Sequence, residues 1–311
     1  MKTVKAVQPY IHPEFLNFKL APYEAWRQLG GQVAAAHYPV RLLHGYAFRY
    51  DLPTICKSTK EARLRFVEPV SVTFDTFPDH ARYEIIPMVW DCWPRYFEKM
   101  CRWLEKYRVQ TALFTSSQTA ERMRQRFPQM QVLHCPEAVD PECYLAGPQL
   151  RDRSIDLLEF GRSNGALFRT ALPDSVNHVC TNRNGVYIYD NAALYEAMSR
   201  SKITIALPRS WTHPELAGDV ETLTQRYWES MLSRIVPVGH APRELVELVG
   251  YNPVVELDPE HAAEQITDML AHIDDYQELV DRNWAAALQH GTWRGRMQEV
   301  RSFLQSCGYV L

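Results

Sequence analysis

The runs Lys202-Ile203-Thr204-Ile205-Ala206-Leu207-Pro208 and Glu221-Thr222-Leu223-Thr224-Gln225-Arg226-Tyr227-Trp228-Glu229-Ser230-Met231-Leu232-Ser233-Arg234-Ile235-Val236-Pro237-Val238-Gly239 spell out one strand–helix–strand unit. A short apolar, β-branched run halted by proline reads as a buried strand. Residues 223–232 read as a helix, and residues 235–238 as the next strand, closed by Gly239. Working outward, residues 155–160 form a strand ended by Gly161, and residues 186–189 are a weaker strand candidate. Residues 194–200 read as a helix with Leu194, Ala197 and Met198 on one face. Beyond Gly239 come a helix at 242–249, a strand at 253–257 and an amphipathic helix at 259–272. Strands alternating with helices imply parallel β-α-β units with helices on the sheet faces.

The N-terminal half repeats the alternation less cleanly. Residues 70–74, 85–90, 111–115 and 131–134 are strand candidates. Residues 94–107 form a helix opened by Pro94, where a helix tolerates proline, and Ser117 is expected to cap a helix running to Arg126. Residues 1–50, rich in aromatics and prolines, yield no defined elements. Turn residues and charge between Ala146 and Arg153 place the domain boundary there, giving domains 1–150 and 151–311.

A chain of 311 residues is long enough for two domains, each with its own core. Its 46% hydrophobic and 23% charged residues are those of a globular protein. The net charge of −3 argues against a general nucleic-acid binder, although residues 1–150 hold nineteen Lys and Arg against fifteen Asp and Glu, and the rest fifteen against twenty-two. No apolar run approaches the length of a bilayer span, and no signal-peptide core follows Met1. Seven scattered cysteines without a C-x-x-C pair read as reduced thiols of a cytoplasmic protein, and His and Cys never cluster at zinc-ligand spacing.

Two parallel α/β domains also suit dinucleotide enzymes, but neither half carries G-x-G-x-x-G after its first strand. Glu221 and Glu229 instead stand with seven residues between them. This pattern resembles the E-x7-E donor motif of group 1 GT-B glycosyltransferases, and most closely their spore-maturation-like branch. Three other segments fit the family's order. Glu137-Ala138-Val139-Asp140 resembles the G-V-D closing the first domain. Leu158-Glu159-Phe160-Gly161-Arg162 resembles the x-x-G-R opening the donor domain, and His290-Gly291-Thr292-Trp293-Arg294-Gly295-Arg296 the H-T-(W/Y)-x-x-R near the end. The resemblance spans roughly residues 84–305 and implies two Rossmann-like parallel-sheet domains with an interdomain cleft, the last helix packing back on the first domain.

It further implies a nucleoside-diphosphate sugar as donor and a glycan, lipid-linked or protein acceptor. Glu229 would accept bonds from the ribose hydroxyls, with Glu221 nearby in the donor site; a solvated helix face is the alternative for both. Arg162, Arg209 and Arg226, at strand ends or helix starts, are candidates for the diphosphate, and a surface ion pair explains Arg209 equally well. The family's Lys shortly after the G-R pair is missing here; Arg169 is the nearest cation. His213, Glu215 and Gly218 lie in a loop (residues 210–220) that approaches the sugar in the family. No D-x-D occurs, so neither a metal nor another cofactor is expected. Asp91, at a strand end before a helix, would face the acceptor as base or positioning group, with an N-cap role as the alternative. Retention is expected, because E-x7-E accompanies retaining members of the family more often. Arg95, Lys99, Arg102 and Lys106 form one stripe of the helix at 95–108, either a solvated face or a contact with an anionic membrane surface. The rivals are a sugar-nucleotide epimerase on the same fold and a non-catalytic sugar-binding scaffold.

Overall fold

The computed structural model describes residues 1–8, 19–35, 58–161, 172–181 and 191–311. They form two compact units. The first comprises Met1–Glu137, His213–Thr222 and Trp293–Leu311, and the second Ala138–Thr212 and Leu223–Thr292. The chain therefore crosses between units four times, not once after residue 150.

The expected boundary fails for a physical reason. Arg153 is buried and donates to four main-chain carbonyls: Ala146 at 2.7 Å, Pro148 at 3.0 Å, Ser201 at 2.8 Å and Ser233 at 3.0 Å. The segment read as a linker is thus fastened into the second unit. Burial lowers the Arg153 pKa to about 10, still far above neutral, so the charge remains to hold those carbonyls.

In the first unit the strands are β1 (Lys2–Gln8), β2 (Gln32–Ala35), β3 (Glu61–Val67), β4 (Glu84–Val89), β5 (Thr111–Phe114), β6 (Gln131–His134) and the C-terminal β12 (Tyr309–Val310). All described pairings are parallel, in the order β12-β1-β3-β4-β5-β6. β2 pairs with the end of β1 and β12 with its start. Val67, Ile85, Val89, Phe114 and Met123 belong to one apolar core, with Met100 and Leu104 of the Pro94–Lys106 helix.

β1 and β3 escape a hydropathy reading because their charges are paired. Lys2 bonds Glu84, Lys5 meets Glu61 at 3.3 Å, and Arg63 meets Glu61 at 2.7 Å. The 70–74 run, read as a strand, contributes instead to the Val72–Thr76 helix; Ser71 binds Asp75 one turn on, at 2.7 Å. The Ser117–Arg126 helix is capped by Ser116, one residue earlier than expected, whose side chain accepts from Thr119 N–H.

The second unit holds β7 (Ile155–Glu159), β8 (His178–Cys180), β9 (Ser201–Ala206), β10 (Val236–Gly239) and β11 (Val255–Glu256), all parallel in the order β11-β10-β9-β7-β8. The expected helices are present as Asn191–Ser199, Gln225–Leu232, Arg243–Val249 and Ala262–Ala271. The strand candidate at 186–189 lies outside the described residues. From β7 the chain proceeds to β8 on one side and later to β9 on the other. This reversal makes the carboxyl ends of β7 and β9 a topological switch point, where open α/β sheets bind ligands.

Candidate functional site

Phe160 and Gly161 follow β7 directly. Gly161 has φ 71°, and a Cβ there would collide with the Arg226 guanidinium. The left-handed φ favours glycine, and a Cβ here would displace the guanidinium. Arg226, in the first turn of the Gln225–Leu232 helix, lies with its guanidinium carbon 5.3 Å from the centre of the Phe160 ring. That helix is held by Tyr227, Trp228, Met231 and Leu232, all buried in one apolar cluster.

Glu229 sits one turn beyond Arg226 and keeps part of its surface exposed. Tyr144 donates its hydroxyl to Glu229 Oε1 at 3.0 Å. Protein atoms crowd the Glu229 carboxyl, and desolvation raises its pKa; the Tyr144 bond and the Arg226 charge oppose that rise without cancelling it. Burial, reinforced by Glu229, also drives the Tyr144 hydroxyl far upward, so it stays protonated as a donor. Tyr195 packs edge-on against Tyr144, centroids 4.8 Å apart, and its pKa is pushed up to about 12, chiefly by burial. A solvated helix-face role for Glu229 is inconsistent with these surroundings. Tyr144 and Tyr195 had no sequence signal, being 85 and 34 residues from Glu229.

Arg209 opens the short Arg209–Thr212 helix after β9, on the other side of the switch point, and is partly buried. Arg162 lies outside the described residues. The second unit thus brings Glu229, Arg226, Gly161 and the two tyrosines into one neighbourhood, with Arg209 at the adjoining strand end.

Glu221, His213 and Asp91 belong to the first unit. Glu221 N–H donates to Gln118 Oε1 at 2.7 Å, and its carbonyl accepts from Ser116 Oγ at 3.4 Å. Arg122 bonds both carboxylate oxygens of Asp219, at 3.1 and 3.2 Å. His213 is the N-cap of the Pro214–Ala217 helix and makes no side-chain cap bond there. Ala217 and Val220 pack against Trp93, fixing this segment beside the turn that carries Asp91.

Asp91 stands beyond β4 with φ 51°, a sparsely populated conformation for a residue with a side chain. The N-cap of the Pro94–Lys106 helix is Trp93, which makes no side-chain cap bond. Arg95, Lys99, Arg102 and Lys106 are all exposed on that helix. Lys99 also donates to the Val70 carbonyl at 2.7 Å.

Two segments of the family resemblance meet in the second unit. Val139 bridges Thr292, and Val139 N–H bonds the Gly291 carbonyl at 2.9 Å. No helix among the described residues is long and apolar enough to cross a membrane.

No protein-family model matches the sequence, and no curated protein matches it. Solved structures do match. Sucrose-phosphate synthase from Thermosynechococcus elongatus is similar over 98% of this chain and 99% of its own, with a TM-score of 0.62 at 10% identity. HepE of Anabaena, solved with UDP-glucose, covers 98% of this chain and 100% of its own, with a TM-score of 0.57 at 13% identity. An α-glucosyltransferase solved with UDP and a 13-mer DNA covers 98% and 100%, with a TM-score of 0.56 at 10% identity. These neighbours are GT-B glycosyltransferases, and the chain, with its two parallel-sheet α/β units, has the GT-B fold.

Proposed function

We propose that this chain is a glycosyltransferase moving a sugar from a nucleoside-diphosphate sugar to a hydroxyl of a glycan, lipid-linked or protein acceptor. The observation that carries the reading is the Tyr144–Glu229 pair beside Arg226 at the β7/β9 switch point. An acceptor carboxylate one helical turn from a guanidinium matches a ribose diol followed by a diphosphate. Neighbours of the same fold were solved with UDP or UDP-glucose, which supports this donor class.

In this reading Glu229 accepts the ribose hydroxyls, while Arg226 and Arg209 neutralise the diphosphate, with Arg162 as a further ligand. His213 and Glu221 serve the sugar side, and Asp91 orients the acceptor. The bond between the anomeric carbon and the diphosphate oxygen breaks, and the bond to the acceptor oxygen forms. The acceptor proton goes to the departing diphosphate under retention, which we favour, or to Asp91 under inversion. The reaction is proposed to need no metal or other cofactor, as the sequence has no D-x-D.

A thermal-shift screen against UDP, GDP and ADP, followed by assay of nucleoside-diphosphate release from the matching sugar conjugates, tests the reading. A ligand that binds the folded state raises the Tm. Epimers or 2-hydroxy products formed without acceptor would favour an epimerase instead. Failure of every nucleotide to bind would favour a scaffold.

We also propose peripheral contact with anionic lipid at the cytoplasmic membrane face, through the first unit. Val70 and Phe74 are 56% and 36% exposed, and Lys99 ties the Val70 backbone to the basic face of the Pro94–Lys106 helix. Apolar tips beside four exposed cations suit a negatively charged interface. Sedimentation with vesicles should show binding to phosphatidylglycerol and not to phosphatidylcholine. Equal binding to both, or to neither, contradicts it.

A further inference from the structure

Trp211 and His240 form a feature of the second unit that the nucleotide reading leaves unused. Trp211 lies in the short helix after β9, and His240 immediately follows β10. Their rings stack, with centroids 5.0 Å apart and 18° between planes. The histidine is fixed from three directions. Its N–H donates to the Ala206 carbonyl at 3.1 Å, and its own carbonyl accepts the Tyr227 hydroxyl at 2.7 Å. Its Nδ1 lies 2.6 Å from Glu256 Oε1, at the end of β11. Trp211 nevertheless remains 40% exposed, a broad apolar ring left facing solvent on a rigid backing.

The position of this shelf limits what can rest on it. In the order β11-β10-β9-β7-β8, His240 ends a strand two places from β7. Two strand spacings are about 10 Å along the carboxyl edge. Arg226 and Glu229 mark the β7 side of that edge, where the ribose and its phosphates are placed. A nucleobase is bonded directly to the ribose and stays near it. A group on the distal phosphate is separated from the ribose by the whole diphosphate and reaches further along the edge.

We propose that Trp211, backed by His240, is the stacking surface for the pyranose carried on the distal phosphate. One face of a pyranose presents C–H groups that pack on an indole ring, while its hydroxyls point outward to polar partners. The inference rests on the nucleotide reading and adds the element that recognises the transferred sugar.

The test compares Trp211→Ala and Trp211→Phe with the unaltered protein by calorimetry. The probes are the nucleoside diphosphate giving the largest thermal shift among UDP, GDP and ADP, and its glucose, galactose and N-acetylglucosamine conjugates. Trp211→Ala should bind the bare diphosphate as before and bind the preferred conjugate about threefold to tenfold more weakly. Trp211→Phe should recover most of that loss. An unchanged ratio between conjugate and diphosphate overturns the shelf and leaves the nucleotide reading standing. A loss equal for both ligands also overturns it, because the ring would then lie under the base or the phosphates. If the unaltered protein binds none of the ligands, the nucleotide reading fails and this inference with it.

Discussion

Tyr144 donates a 3.0 Å hydrogen bond to Glu229 across 85 residues of sequence, joining the segment that enters the second unit to the helix carrying the site. The bond fixes one carboxylate oxygen and opposes the desolvation that raises the Glu229 pKa. Tyr144→Phe removes that opposition. The pH below which nucleotide affinity declines should therefore move upward in Tyr144→Phe, as read from calorimetric titrations across pH. An unshifted profile would mean that Glu229 is not the titrating acceptor.

The sign for Glu229 itself is definite. Its pKa in the folded protein lies above the ordinary 4.5, so the neutral form is favoured by folding. That contribution to stability is fully present below the unfolded value and is lost as pH rises through the folded one. Glu229→Gln should therefore raise the Tm of the ligand-free protein at neutral pH, with the gain vanishing below about 4.5. Thermal melts at pH 4 and pH 7.5 provide the comparison, and an equal gain at both would exclude a titrating origin.

Gly161→Ala forces a left-handed φ on a residue with a Cβ and pushes the Arg226 guanidinium aside. The backbone alone costs about 1–2 kcal/mol, or a Tm lower by about 2–8 °C. Nucleotide affinity should drop as well. Unaltered affinity alongside a lower Tm would remove Arg226 from the binding group.

Arg153→Met leaves four main-chain carbonyls without their donor. Loss of charged hydrogen bonds at a buried position should reduce stability by more than about 3 kcal/mol. Urea unfolding followed by circular dichroism checks it. A smaller change would mean that the segment from Ala146 to Arg153 is held by something else.

Much of the second unit was legible because its strands are short apolar runs with abrupt stops, as at Ile155–Glu159 and Val236–Gly239. β1 and β3 were not, since Lys2, Lys5, Glu61 and Arg63 break the apolar pattern; Lys2 and Lys5 find their partners only across the sheet, in Glu84 and Glu61, while Arg63 pairs with Glu61 on its own strand. The 70–74 segment has β-branched residues, but Ser71 and Asp75 bond one another at helical spacing. At the site, Glu229 stood out by its spacing from Glu221, and Arg226 by its place at a helix start. Gly161 was visible as the end of a strand, but Tyr144 and Tyr195 were not, because they become neighbours of Glu229 only through the fold.

Asp91→Asn separates the two stereochemical courses. Asparagine tolerates the φ of 51° that Asp91 adopts, so the backbone stays in place and the change is chemical. Under retention, turnover at saturating acceptor should remain substantial while acceptor affinity weakens. A rate lower by about 10²–10⁴ with an inverted anomer, seen by NMR of the product, would make Asp91 the base.

Calorimetric binding of the nucleoside diphosphate preferred by the unaltered protein, repeated on Glu229→Ala, tests the central claim most directly. Removing a charged acceptor of the ribose hydroxyls should cost about 1.5–3 kcal/mol, or about ten- to a hundredfold in Kd, with the protein still folded. Equal affinity in the two proteins would contradict the placement of the nucleotide at Glu229.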